Sequence, residues 1–247
     1  MPFPSAPPAP PSSEKLKAPG ARHRVGLDAR APIRHGLGMT GRILTSPACI
    51  AEGLDWLARR EPRFAAAHAL TGDPPLRRRP EGFAELVGAI LGQQVSTAAA
   101  AAMRARMETA GLMSPEAVAA ADEAALRGCG LSAAKIRYVQ ALARATLDYR
   151  ALAQLPDAEV VARLTALPGI GRWTAELYAM TSLGRADILC AGDLALQESA
   201  RLLFDLEARP SERALRAMAE DWSPWRGVAA RLLWAYYRHA KGREGTA

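Results

Sequence analysis

The sequence predicts an all-α protein, and three observations carry that reading. Ala and Leu dominate while β-branched residues are sparse, which favours helix over strand. Apolar residues recur at helical spacing, most clearly at Phe83, Leu86, Val87, Ile90 and Leu91, which fall at i, i+3, i+4, i+7 and i+8. Helix-starting residues such as Ser96, Ser114 followed by Pro115, and Ser132 stand directly before such runs, and glycines follow them. Strand-like alternation is confined to short stretches such as Gly41–Leu44.

Residues 1–38 read as a disordered leader. They open with PFPSAPPAPPSS and hold little apolar material. An organelle transit peptide, or a true start at Met39, are alternative readings of the same stretch. Helical patterning begins near residue 47, where Ile50, Leu54 and Leu57 keep helical spacing beside Trp56. Pro74, Pro75 and Pro80 bracket the basic run Arg77–Arg79, a loop. The apolar helix over 83–91 follows, then Gly92. Ser96 caps an Ala-rich helix, Ser114-Pro115-Glu116 starts another, and Gly128 and Gly130 punctuate. Ser132 opens a helix reaching about Tyr149, and Asp157 starts one that ends near Ala166. Leu167-Pro168-Gly169-Ile170-Gly171 is a tight turn, and Arg172 begins a helix to about Ser182. Gly184–Gly192 reads as irregular, and helices follow at about 193–204, 211–220 and 224–239. Residues 39–247 thus form one helical domain.

The formal net charge of +7 favours an anionic partner. The leader alone carries +4, so a modestly basic surface of +3 remains for the folded part. No apolar run approaches the length of a membrane helix, and no secretion signal opens the chain, which points to the cytoplasm. Cys49, Cys129 and Cys190 are odd in number and far apart, which argues against a disulfide framework and is too few for a four-thiolate cluster. The four histidines form no i,i+4 pair that would suit a metal.

The turn 167–171 is the informative motif. Glycines at 169 and 171 permit a tight bend and expose backbone N–H groups at the start of the helix from Arg172. Such a terminus attracts phosphate and lets a nucleic-acid backbone approach without reading its sequence. A dinucleotide-binding turn is disfavoured, because Thr174 stands at the third glycine position and no strand precedes. A purely structural hairpin stays open on spacing alone.

Four ordered segments resemble the helix-hairpin-helix (HhH-GPD) DNA glycosylase superfamily, most closely its 3-methyladenine DNA glycosylase II branch. They are GAILGQQVS at 88–96, LPGIGRWTAELYAM at 167–180, AGDLALQ at 191–197 and DWSPWRGVAARLLWAYY at 221–237. The resemblance implies two helical lobes around a cleft, without the N-terminal β domain that some relatives carry. It implies excision of alkylated purines of the 3-methyladenine and 7-methylguanine type from double-stranded DNA by a monomer in base-excision repair. A different lesion, such as an etheno or deaminated base, or an inactive DNA-binding relative, are the alternatives.

The residues carry over one by one. Asp193 matches the catalytic carboxylate; in isolation it would read as a helix N-cap. Asp187, in the irregular link, is assigned a structural role. Trp173 stands where strand-cleaving members have a Schiff-base lysine, so base removal without strand cleavage is implied. Trp173 and Trp234, with Tyr178 as a third candidate, are implied as the pocket that stacks on a flipped base. An indole face also favours a cationic alkylpurine by about 0.5–2 kcal/mol. Trp222 and Trp225 are assigned to packing. Gln94 matches the wedge that fills the hole left in the duplex, with a turn-capping role as its alternative. Pro168, Gly169, Ile170 and Gly171 match the DNA-backbone hairpin. The backbone oxygens of Thr165, Leu167 and Gly169 match a monovalent-cation site (Na+ or K+), and no iron–sulfur cluster is implied. Cys190 replaces a proline common in relatives three residues before the aspartate.

Overall fold

The computed structural model describes residues 41–242; the assignment of 1–38 to a leader lies outside them. Thirteen α-helices follow one another among the described residues. They are α1 (Pro47–Arg60), α2 (Pro62–Thr71), α3 (Phe83–Leu91), α4 (Thr97–Thr109), α5 (Pro115–Ala120), α6 (Glu123–Gly128) and α7 (Ala133–Arg144). Then come α8 (Tyr149–Leu152), α9 (Asp157–Thr165), α10 (Arg172–Thr181), α11 (Leu194–Leu203), α12 (Glu212–Met218) and, after a 3₁₀ turn over Ala219–Trp222, α13 (Arg226–Lys241).

The helices start where their sequences provide caps. Ser96, Ser114, Asp122, Ser132, Asp148, Asp193 and Ser211 each accept a hydrogen bond from a backbone N–H of the first turn that follows. Each satisfies donors that the helix itself leaves unpaired. The structure departs from the sequence reading at several boundaries. The helix from Ser132 stops at Arg144, five residues early, because Thr146 adopts a left-handed φ of 44° and Asp148 caps a new turn. The structure adds α2, α6 and the single turn α8, which the sequence reading lacks. Pro62 would have ended a helix, yet here it stands at the first turn of a second one, where its missing N–H is harmless.

Helix contacts sort into two groups. In one, α3 packs on α4, α7 and α10, while α5 and α6 pack on α7 and α9 on α10. In the other, α13 packs on α1, α2 and α11, and α12 packs on α11. This is the two-lobed arrangement that the resemblance implies. A continuous apolar core joins the groups, with Leu86, Ile90, Val139, Ala175, Leu196 and Leu232 among its fully or nearly fully buried members.

The chain passes from α10 to α11 through residues 182–192, which lack helix yet are buried almost throughout. A buried irregular backbone must find partners for its polar groups. The strand-like stretch near Gly41 supplies some: Leu44 N donates to Gly184 O at 2.7 Å, and Ala186 N to Arg42 O at 2.9 Å. The Gly227 N–H reaches Ala186 O at 2.7 Å. Two buried guanidiniums tie carbonyls of the segments packed around the link. Arg231 donates to the carbonyls of Leu76, Met180 and Gly227, and Arg185 to those of Ala153 and Leu155. Burial lowers the Arg231 pKa to about 10. Asp187 closes the link by accepting from Arg226 Nε and Nη2 at 2.8 and 2.7 Å and from Ser223 Oγ at 2.7 Å. These partners fix the point at which α11 begins.

Candidate active site and nucleic-acid interface

Asp193 caps α11 and also receives two indoles. As N-cap of α11 it accepts from Ala195 N at 2.9 Å and Leu196 N at 3.0 Å through Oδ1. The same oxygen accepts from Trp234 Nε1 at 3.2 Å, and Oδ2 accepts from Trp173 Nε1 at 3.2 Å. Four donors therefore address one carboxylate. Oδ1 takes three of them, whereas Oδ2 takes one and retains acceptor capacity.

The indoles come from different groups of helices. Trp173 stands in the first turn of α10, and Trp234 lies midway along α13. Their N–H edges converge on Asp193 from α10 and α13 while α11 starts beneath it. The hydrogen bonds also restrict how either ring can turn. Trp173 remains 40% exposed, and Leu194, the residue after the aspartate, is 61% exposed. Two exposed apolar side chains therefore flank the carboxylate.

Tyr178 does not belong to this constellation. It lies five residues from Trp173 on α10, roughly 140° around the helix, and its ring is 4% exposed within the core. Its hydroxyl accepts from Gly82 N at 2.9 Å, and burial pushes its pKa up to about 12. Trp222 and Trp225 are buried as packing residues; Trp222 stacks on Phe204 with 13° between the ring planes. Cys190 is buried, which raises its thiol pKa, and its carbonyl accepts from Asp193 N at 2.9 Å, so the turn is tied without proline.

The hairpin joins α9 to α10. Gly169 adopts φ 84°, open to glycine and costly for other residues, and a Cβ there would stand 2.3 Å from Tyr138 Cγ. Gly171 caps α10 with ordinary extended backbone and open space around it. A groove of about 810 Å³ runs past this turn, lined by Gln93, Gln94, Tyr138, residues 165–171 and Trp173. The groove therefore brings the wedge candidate Gln94, the hairpin and the Asp193-bound Trp173 onto one surface. A larger concavity of about 900 Å³ does not reach Asp193. Its charged walls are matched to each other, Arg216 with Glu176 and Arg226 with Asp187, which reads as a structural seam.

Residues that sequence reasoning missed lie behind the groove. Gln93 Nε2 donates to Gly169 O at 2.8 Å. Lys135 on α7 is 8% exposed and donates through Nζ to the carbonyls of Ile90, Leu91 and Gln93. Burial lowers its pKa. A signal existed: Lys135 stands four residues before Val139 and seven before Leu142, so it falls on the apolar stripe of α7.

Comparison with known proteins agrees with this geometry. Residues 87–224 match the model of the HhH-GPD superfamily base excision DNA repair protein, a span holding Gln94, the hairpin and Asp193. The chain is 32% identical over 163 residues to DNA-3-methyladenine glycosylase 1 of Schizosaccharomyces pombe, covering 62% of this chain and 72% of the relative. It is 31% identical over 168 residues to DNA-3-methyladenine glycosylase 2 of Escherichia coli, covering 62% of this chain and 57% of the relative. Among solved structures, the S. pombe 3-methyladenine DNA glycosylase in complex with abasic DNA superposes with a TM-score of 0.67 at 30% identity, covering 74% of this chain and 95% of that one. A DNA-3-methyladenine glycosidase from Bacillus halodurans superposes with a TM-score of 0.71 at 30% identity, covering 82% and 95%. The sequence motifs, the two helical groups and the shared span lead to one placement: the chain belongs to the HhH-GPD superfamily of base excision DNA repair proteins.

Proposed function

We propose that the protein is a monofunctional DNA glycosylase that removes alkylated purines from double-stranded DNA. The observation that carries this reading is the carboxylate of Asp193, held by two indole N–H groups from separate helices beside the hairpin groove. The N–C1′ bond of a flipped nucleotide breaks with its electron pair passing to the purine, and positive charge develops on the sugar. An N3- or N7-alkylated purine is cationic in the nucleotide and leaves neutral, so the departing base needs little acid catalysis. Asp193 stabilises the oxocarbenium-like sugar electrostatically. Water then bonds to C1′, and Oδ2, the oxygen with spare acceptor capacity, takes its proton. The indole of Trp173, with no amine, forms no Schiff base, so an unbroken abasic strand is the product.

Support for DNA as partner comes from the relative solved on abasic DNA. One chain supplies the aspartate, both indoles and the hairpin, which suits a monomer. Among the described residues no helix is long and apolar enough to cross a membrane; a nucleoid-associated enzyme of the cytoplasm is the corresponding proposal. The carbonyls of Thr165, Leu167 and Gly169 would hold a monovalent cation, which would supply positive charge at the hairpin. Leu167 O and Gly169 O each accept one protein donor, from Ile170 N and Gln93 Nε2, and keep a second lone pair for it.

The test is release of 3-methyladenine and 7-methylguanine from duplex DNA treated with a methylating agent, with the strand analysed before and after alkali. Free methylpurine and a strand that breaks only in alkali are expected. Breakage without alkali would overturn the monofunctional reading, and no release from folded protein would overturn the activity. The removal of Tyr178 from the pocket has its own check. Tyr178→Phe loses the acceptor for Gly82 N–H and is expected to cost about 1 kcal/mol in urea unfolding, with methylpurine release unchanged. A loss of release exceeding the loss of stability would return the residue to the site.

A further inference from the structure

We propose that Lys135 is the positioning residue of the Gln94 wedge, its ammonium holding the turn from which Gln94 projects. The proposal rests on the glycosylase reading above and deepens it. The last carbonyls of α3 have no partner within the helix. Lys135 Nζ takes three carbonyls of this end, Ile90 O at 2.9 Å and Leu91 O and Gln93 O at 2.8 Å, which matches its three protons. Directly after this knot, Gln94 adopts φ 57°, a left-handed conformation that residues with a Cβ hold only under constraint. Gln94 is exposed and lines the groove, while the backbone preceding it is tied from behind.

The same helix backs the hairpin. Tyr138, three residues after Lys135 on α7, lies against Gly169, and Gln93 Nε2 spans from the wedge turn to Gly169 O. One helix therefore sets the separation between the group that fills the duplex and the group that holds its phosphate. A wedge must enter against stacked bases, and a turn free to rotate would yield instead of the stack. Gly92 follows α3 but stays right-handed at φ −72°, so it does not close the helix as a left-handed glycine does, and a buried ammonium takes that place at a desolvation cost, which is the reason to assign it this added task.

The experiment uses a duplex with a tetrahydrofuran abasic site and 2-aminopurine as the opposing base. Binding is followed by anisotropy of a terminal fluorescein, and wedge insertion by 2-aminopurine fluorescence. The unaltered protein is expected to change the 2-aminopurine signal, and Gln94→Ala to lose that change. Lys135→Met is expected to bind the duplex and lose the change as Gln94→Ala does, with no further loss in the double variant. Lys135→Gln, which keeps two of the three donors and no charge, serves where Lys135→Met does not fold. A bound Lys135 variant with the full signal overturns the proposal, as do losses that add in the double variant. Failure of both Lys135 variants to fold or bind makes the residue a fold element and overturns it too, and an unaltered protein that gives no signal removes the wedge itself. The fluorescence needs no catalysis, so methylpurine release by the unaltered protein tests the parent reading separately.

Discussion

Asp193→Asn is expected to lower methylpurine release about 10³-fold while leaving affinity for abasic duplex DNA unchanged. The substitution is close to isosteric, and Asn caps a helix as well as Asp does. With its oxygen at the Oδ1 position, Asn keeps the bonds from Ala195 N, Leu196 N and Trp234 Nε1. Its amide nitrogen then meets Trp173 Nε1, donor against donor, so one hydrogen bond is lost. Because Trp173 is 40% exposed, water replaces part of it, and the cost is about 1 kcal/mol, a few degrees in melting temperature. The missing charge is what matters chemically, since a neutral amide cannot balance the cationic sugar. Single-turnover release, abasic-duplex binding and thermal melting on the same preparation separate the roles. Loss of folding and binding together with release would reduce Asp193 to a cap; full release would remove it from the chemistry.

That double character explains how the site could be read from sequence. Asp193 is a candidate through the family resemblance, which places an aspartate just beyond the hairpin's second helix; the length of α10 and the buried link set that spacing here. Trp173 and Trp234 were legible through the same segments, but their shared use of the carboxylate was not, because α10 and α13 meet only in the fold. Tyr178 was misplaced because membership of a motif does not specify a helix face. Its position, five residues from Trp173, does, and the turn of the helix sends it to the core. The helical class was legible from periodicity and caps, since both are local. The end of α7 was not: Thr146 takes a left-handed conformation without the glycine that usually announces one. Residues that act through backbone atoms were hardest to see. Lys135 and Gln93 donate to carbonyls, which carry no side-chain identity to match.

Gly169→Val is expected to weaken duplex DNA binding about 100-fold at moderate salt, two charge-assisted hydrogen bonds being worth at least that. Gly171→Ala, two residues on, isolates the reason. At Gly169 the backbone is left-handed, and a Cβ would lie 2.3 Å from Tyr138 Cγ, so valine must displace the hairpin or the ring. Displacement moves the N–H groups at the start of α10 away from where a phosphate would sit, and it breaks the bond that Gly169 O receives from Gln93. Stability falls as well, by about 1–2 kcal/mol from the backbone conformation alone. Gly171 has φ −78° and nothing within 4 Å of an added Cβ, so Gly171→Ala leaves the free protein undisturbed. Any loss of affinity in that variant comes from the space a DNA backbone would occupy. Comparison of affinity with stability distinguishes the two routes. A hairpin that grips phosphate costs the folded Gly169→Val protein its affinity, beyond what its melting curve accounts for, whereas a hairpin that serves only to pack two helices lowers stability and leaves the affinity of the folded fraction unchanged. Full affinity in Gly171→Ala, with full affinity of folded Gly169→Val, would move the DNA backbone off this turn and leave the groove beside Trp173 as the remaining surface for it.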